Sequence, residues 1–304
     1  MNDLNDAWNE GRMADFFDAL PDIGSLMRFS QWRREQPDPN MSVEVENRLG
    51  SEVMAAVILS PSIEDEFARQ TRVMLRNWAR VFVTGKSPMF NESRYFNAGI
   101  EEALKLGSKW IVVMCDDMEE REHFASLLSH LLYLDNKRFD TVWINETPDH
   151  YHSCDACLTP LSSVQGLAER LMGNARLMDM RVKYQVENVV AFEHPIAKPF
   201  RYWLFHTLYP ARLQHPSLRF RLTGDFCILS SEWCRANMPV LDDRFIGNQD
   251  VGLSLRLAKT RSVKVDFTLG SQIGGHYKPS LVKAEREVFN MAVLNELIRE
   301  ARYR

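Results

Sequence analysis

Four short apolar runs and a fifth, charge-bearing stretch punctuate the chain. They are Val53-Met54-Ala55-Ala56-Val57-Ile58-Leu59, Val81-Phe82-Val83, Trp110-Ile111-Val112-Val113-Met114-Cys115, Thr141-Val142-Trp143-Ile144 and Val263-Lys264-Val265-Asp266-Phe267. Runs of this length, rich in β-branched residues and carrying few charges, predict strands buried within a sheet. The stretches between them have a helical period: 64–78 with Phe67, Leu75 and Trp78 as apolar positions, then 91–106, then 119–134. Strand and helix alternate through short connections. That order predicts an α/β fold, a doubly wound and mostly parallel sheet flanked by helices, with right-handed crossovers.

The flanking pattern is different. Residues 1–50 read as a polar helical extension anchored by Phe16, Phe17, Leu20, Leu26, Met27 and Phe29, with a turn at Gln36-Pro37-Asp38-Pro39-Asn40. The pattern from 145 to about 225 is irregular, and Phe220–Ser230 reads as one strand interrupted at Gly224. Ser231 starts a short helix, and Asp250 opens another with Val251, Leu253, Leu255 and Leu257 as its apolar positions. A loop at 274–280 precedes a terminal amphipathic helix at 281–302. The expected units are an N-terminal extension (1–50), a main domain (51–280) with an insert at about 145–222, and a C-terminal helix (281–304). There is no internal repeat.

Composition narrows the class. With 304 residues, 45% hydrophobic and 26% charged, the chain can bury a large core. The net charge of −4 argues against affinity for nucleic acid along the whole chain, though not against a local basic patch. No apolar stretch approaches the roughly 20 residues that span a bilayer. The acidic N-terminus, Met1-Asn2-Asp3, has no signal-peptide pattern, and the odd count of five cysteines suits reduced thiols. A cytoplasmic protein is the expectation.

Candidate chemistry centres on Asp116-Asp117. These carboxylates follow a predicted buried strand, at the end where open α/β sheets bind ligands. The competing view is that they cap a helix beginning near Glu119. Gly85-Lys86-Ser87 is not a phosphate-binding loop, because the upstream glycine of that motif is missing. His150, His152, Cys154 and Cys157 are four zinc-type ligands within eight residues, but structural zinc sites usually draw their ligand pairs from separate segments. A loop with free thiols is the expected state. Between Glu193 and Asp225 no acidic residue occurs, while Lys198, Arg201, Arg212, Arg219 and Arg221 are interleaved with Phe200, Tyr202, Trp203, Phe205, Tyr209 and Phe220. Such a mixture suits a phosphate-bearing partner, either nucleic acid or a lipid surface. It is equally what a core with a solvated cationic face would show.

Residues 53 to about 280 resemble GT-A glycosyltransferases and are most similar to the family 2 group. The resemblance rests on four features: a first strand ending in Ser60-Pro61-Ser62; Asn97-Ala98-Gly99-Ile100 before Ala103; Asp116-Asp117 after an apolar strand; and the block from Phe245 to Arg256 that contains Asp250. Two departures stand out. One acid of the family's usual Asp-X-Asp is missing, since the run here is Cys115-Asp116-Asp117-Met118, and Gln249 stands where the family usually has Glu.

The resemblance implies an inverting, metal-dependent transfer of a sugar from a nucleoside-diphosphate sugar, with Asp250 as general base. Ser60, Pro61, Ser62, Asn97, Asp116 and Lys278 are the implied donor-binding residues. Asp117 and His276 are the implied ligands of Mn²⁺ or Mg²⁺. Asp225, Arg201 and Trp203 are candidates on the acceptor side, the acceptor being a glycan, a phospholipid-linked sugar or nucleic acid. A nucleotidyltransferase and a catalytically inactive nucleotide-sugar-binding module are the alternatives.

Overall fold

A computed structural model describes residues 1–85, 91–120, 124–144, 153–159, 175–193, 200, 203, 207, 217–221, 226–245, 249–257, 260–265, 269–271 and 283–300. Its frame is a seven-stranded sheet. The strands are β1 (Met41–Glu46), β2 (Met54–Ser60), β3 (Ala79–Gly85), β4 (Trp110–Cys115), β6 (Thr141–Ile144), β10 (Phe226–Ser230) and β11 (Ser262–Val265). Their order across the sheet is β1-β3-β2-β4-β10-β6-β11. β2 runs parallel to β3 and β4, and β11 runs parallel to β6. β1 and β10 are antiparallel to their neighbours, so the other five strands share one direction. The sheet is mixed and mostly parallel, as the alternating pattern predicts.

The sheet is covered on both faces because its strands are apolar on both. Alternate residues feed two cores. Met54, Ala56, Ile58, Phe82, Val112 and Met114 pack with Ala68 of α4 (Glu66–Met74), with Leu75 just after it, and with Leu127 and Leu131 of α6 (Phe124–Tyr133). Ala55, Val57, Val81, Val83, Ile111 and Val113 pack with Tyr95, Phe96, Ile100 and Ala103 of α5 (Glu92–Lys105). On that second face also lie Cys234 of α8 (Ser231–Ala236) and Leu253 and Leu257 of α9 (Gln249–Leu257). Helix starts follow local chemistry: Asp65 and Asn91 cap α4 and α5 by accepting from Ala68 N–H and Arg94 N–H.

A third core lies beyond α9. It joins Trp8, Phe16 and Phe29 of the N-terminal helices α1 (Asn2–Asn9), α2 (Met13–Asp18) and α3 (Ile23–Glu35) to Val288, Phe289, Val293 and Leu297 of α10 (Lys283–Glu300). Met180 of α7 (Ala175–Lys183) and Leu255 of α9 complete it. α9 thus feeds two cores, with Leu253 and Leu257 on one side and Leu255 on the other.

Four expectations are corrected. The N-terminal extension, expected to be helical apart from a turn at 36–40, contains β1, an edge strand of the main sheet paired with β3 from Met41↔Gly85 to Glu46↔Arg80. No helix begins at Glu119: Met118–Glu120 is a short strand, β5, paired with Leu269–Ser271, β12, and α6 starts at Phe124. The irregular insert contains a separate antiparallel sheet of β7 (Ser153–Thr159), β8 (Asn188–Glu193) and β9 (Ser217–Arg221), in the order β8-β7-β9. Cys154 and Cys157 therefore stand in a strand, not a loop; His150 and His152 lie outside the described residues. The expected interrupted strand is two strands in different sheets, β9 and β10. A lesser difference concerns α10, which buries residues around much of its circumference, including Asn290 and Asn295.

Candidate functional site

The chain leaves β2 through α4 to β3 on one side of β2, then returns through α5 to β4 on the other side. The two helices lie on opposite faces. This reversal makes the C-terminal ends of β2 and β4 a topological switch point, where connections diverge and leave room for a ligand. Ser60 ends β2, and Asp116-Asp117 follow β4, held side by side by the pairing Leu59↔Cys115.

Asp116 is almost wholly buried, with 1% of its surface exposed. Its N–H donates to the Leu59 carbonyl at 3.1 Å, and its own carbonyl accepts from Thr71 Oγ1 at 2.8 Å. The Ser60 hydroxyl lies 2.6 Å from Asp116 Oδ2 and 2.9 Å from the Ser62 carbonyl oxygen, and the Ser62 N–H donates to Ser60 Oγ at 3.3 Å. The Ser60-Pro61-Ser62 turn and the first acid are therefore one hydrogen-bonded unit. Asp117 and Ser62 are partly buried and Pro61 is exposed. The adjacent acids differ in environment: Asp116 faces inward to Ser60, while Asp117 stands nearer solvent. β5 continues directly from Asp117, and its pairing sets Ser271 opposite Met118. Capping of a following helix does not explain the pair, because the next element is this strand.

Asn97 lies on α5 and is 6% exposed. Its Nδ2 donates to the Leu241 carbonyl at 2.8 Å and its Oδ1 accepts from the Leu241 N–H at 2.9 Å. The side-chain amide thus imitates a strand partner for one peptide of the segment before α9. Asn91 Nδ2 donates to the Asp243 carbonyl two residues on. Gly99 permits close approach of α5 to the sheet: a Cβ there would come within 2.3 Å of Val57 Cγ1 and 2.7 Å of Val83 Cγ2. The Asn97-Ala98-Gly99-Ile100 motif is therefore a packing device that also grips Leu241, while Asn91 holds Asp243.

The block from Phe245 to Arg256 has the same character. Phe245 is buried, and a Cβ on Gly252 would stand 3.1 Å from its ring. Arg256 donates to the carbonyls of Asn237 and Pro239. Arg244 forms a buried ion pair with Asp242, with Arg244 Nη2 2.7 Å from Oδ2 and Nε 3.0 Å from Oδ1. Burial raises the Asp243 carboxyl above its ordinary range, opposed by Arg34 and reinforced by Asp242. These contacts fix the segment entering α9, whose second residue is Asp250. Sequence reasoning missed Thr71, Leu241 and the Asp242–Arg244 pair. Thr71 sits in an amphipathic helix where nothing marks it off from other polar positions, whereas Asp242-Asp243-Arg244 did offer a charge cluster amid apolar residues.

Trp203 is helical and exposed, beside Phe200. Arg201, Asp225, His276 and Lys278 lie outside the described residues. Among the described residues no group of three or more His, Cys, Asp or Glu side chains is assembled that could hold a metal ion. Asp117, partly buried just past the end of β4, is a single oxygen donor of the kind Mg²⁺ or Mn²⁺ takes. Cys115, Cys227 and Cys234 carry free thiols, and burial pushes Cys227 up to about 12, leaving it protonated and unreactive. No described helix is long and apolar enough to cross a membrane. Neither a protein-family model nor a curated protein matches the chain.

Proposed function

We propose that the chain is a metal-dependent glycosyltransferase of GT-A-like fold, moving a sugar from a nucleoside-diphosphate sugar to an acceptor hydroxyl. The observation that carries this reading is the acid pair at the switch point, with Asp116 buried against Ser60 and Asp117 beside it nearer solvent. A carboxylate gripped by a turn residue is a rigid hydrogen-bond acceptor, suited to a ribose hydroxyl that reaches it. The neighbouring carboxylate has the exposure that a ligand to a divalent cation needs. Such a cation, when bound, stabilises the charge that develops on the departing diphosphate.

In this reading Asp117 and His276 hold the cation. His276 is five residues beyond Ser271, which pairs opposite Met118. A chain of five residues reaches up to about 17 Å, enough to return to Asp117. Lys278 follows on the same segment and would offset diphosphate charge. Asp250 takes the proton from the acceptor hydroxyl as that oxygen attacks the anomeric carbon, which inverts the configuration. Asn91, Asn97 and the Asp242–Arg244 pair serve by fixing the backbone ahead of α9. Asp225, Arg201 and Trp203 belong to the acceptor side.

The test is turnover of a panel of nucleoside-diphosphate sugars by the intact chain and by Asp250→Asn. Loss of transfer by about 100-fold or more, with donor binding retained, is the expected result for a lost general base. A nucleotidyltransferase would keep its activity in that variant, and an inactive module would bind donor without turnover in either protein.

A further inference from the structure

A small pocket opens where the N-terminal helices meet the segment before α9, and arginines supply most of its charge. Arg33 and Arg34 come from the last turn of α3, Arg94 from the first turn of α5 and Arg244 from the segment before α9, beside the carboxylates of Asp38 and Asp243. Trp8, Phe29 and Phe289 form the apolar part of the wall. Arg244 is already committed, since Asp242 lies 2.7 Å from its Nη2 and Glu300 lies 3.8 Å from its Nη1. The other three guanidinium groups share two carboxylates, which leaves one positive charge in excess.

The contacts of these three are long. Arg33 Nη2 stands 3.4 Å from Asp38 Oδ2 and 3.4 Å from Asn9 Oδ1, and its Nη1 is 3.4 Å from the Gln36 carbonyl oxygen. Arg34 Nη1 is 3.5 Å from Asp243 Oδ1. Arg94 Nη1 is 3.4 Å from the Arg33 carbonyl oxygen, and its Nη2 donates to the Gln36 carbonyl. Charge-assisted bonds normally close to about 2.7–2.9 Å. The Arg72–Glu46 pair does so, at 2.8 Å. Arg33 is 9% exposed, and its Nε, shut off from solvent, finds no acceptor among the described residues. Its carboxylate is divided, because Asp38 also serves Tyr95 and the Asn40 N–H. Burial lowers the Arg33 guanidinium below its ordinary range, with Asp38 opposing and Arg94 adding to the effect. Buried donors without good acceptors call for an explanation, and planar arginine forks match the oxygens of phosphate. A tetrahedral oxyanion presents oxygens in several directions, which arginines arriving from separate elements can share. A carboxylate presents only two, in one plane.

We infer that this pocket binds a phosphate group, free or as a monoester, held by Arg33, Arg34 and Arg94 between α3, α5 and the segment leading into α9. The inference does not depend on the glycosyl-transfer reading. Calorimetric titration of the full chain with inorganic phosphate, and separately with glycerol 3-phosphate, tests it. Ionic strength is held constant, and EDTA keeps a metal-dependent donor site out of the signal. A single saturable site is expected. Tighter binding of the ester assigns it to a phosphomonoester, and tighter binding of the inorganic ion to free phosphate. Arg34→Gln with Arg94→Gln should weaken binding by roughly tenfold or more, the scale of losing charge-assisted contacts. Asp243→Asn removes the carboxylate that competes for Arg34 and should tighten binding by roughly threefold or more. Arginines that serve only to seat the N-terminal helices predict no such gain, and this second variant keeps every arginine, so its reading does not depend on how the first one folds. Absence of binding by both probes, equal binding by the arginine variant, or unchanged or weaker binding by Asp243→Asn overturns the proposal.

Discussion

At the scale of single residues, the site is built from groups that satisfy one another in pairs. Ser60 and Asp116 are the tightest case, a hydroxyl 2.6 Å from a carboxylate oxygen in a buried setting. Ser60→Ala removes that partner from a nearly buried carboxylate, and should cost about 1–3 kcal/mol in urea unfolding. Asn97 is a second case: Asn97→Ala leaves both the N–H and the carbonyl of Leu241 without their partner. A loss of about 2–4 kcal/mol is expected from two buried hydrogen bonds, read by the same unfolding experiment. The acids at 116 and 117 were legible because they interrupt an apolar run. Their unequal environments were not, since burial of Asp116 depends on Ser60 and Thr71, 56 and 45 residues away in the chain.

At the scale of elements, strands buried on both faces were legible, as was the edge strand β11, while the other strands of the periphery were not. Trp110–Cys115 and Thr141–Ile144 occur where their apolar runs predict them, because a strand covered by helices on both sides must be apolar throughout. β1 instead reads Met-Ser-Val-Glu-Val-Glu, an alternating pattern proper to an edge strand, overlooked among helical neighbours. β5 and β12 have three residues each, too few to show any period, and are strands only because they pair with each other over a long chain separation. β1 is tied to the body through Glu46, which meets Arg72 of α4 at 2.8 Å and Arg80 of β3 at 3.1 Å. Burial alone would lift the Glu46 carboxyl, but hydrogen bonds from Arg72 and Arg80 outweigh it and hold it below its ordinary 4.5. A depressed carboxylate stabilises the fold above the unfolded value and loses that contribution as pH falls through the folded one. Glu46→Gln should therefore be less stable than the parent at neutral pH, with the difference closing as pH drops below about 4.5 in urea titrations. Gly99→Ala probes the α5–sheet contact. The new methyl must displace Val57 and Val83, and a loss of about 1–3 kcal/mol is expected from overpacking.

At the scale of the whole molecule, the N-terminal helices and α10 close one core over the back of α9. Trp8 lies 5.1 Å from Phe16 and 5.4 Å from Phe289, so the two ends of the chain meet through aromatic contacts. α9 is held between this core and the sheet, which gives the helix bearing Asp250 a rigid seat. Phe29→Ala, far along the chain from the acids, should destabilise by about 3–5 kcal/mol because its ring is fully buried. The apolar anchors of 1–35 were legible in the sequence but their partners were not, because these lie far along the chain in α7, α9 and α10. The central claim remains the donor site at the ends of β2 and β4, and thermal unfolding tests it most directly. The chain would be melted with nucleoside diphosphates and their sugars, with and without Mn²⁺, beside Asp117→Ala. The account predicts that one nucleotide raises Tm by a few degrees, corresponding to about 2.7 kcal/mol at a hundredfold excess over Kd, only with metal and only in the parent chain. A shift that persists without Mn²⁺ or in Asp117→Ala, or no shift with any donor, would contradict it.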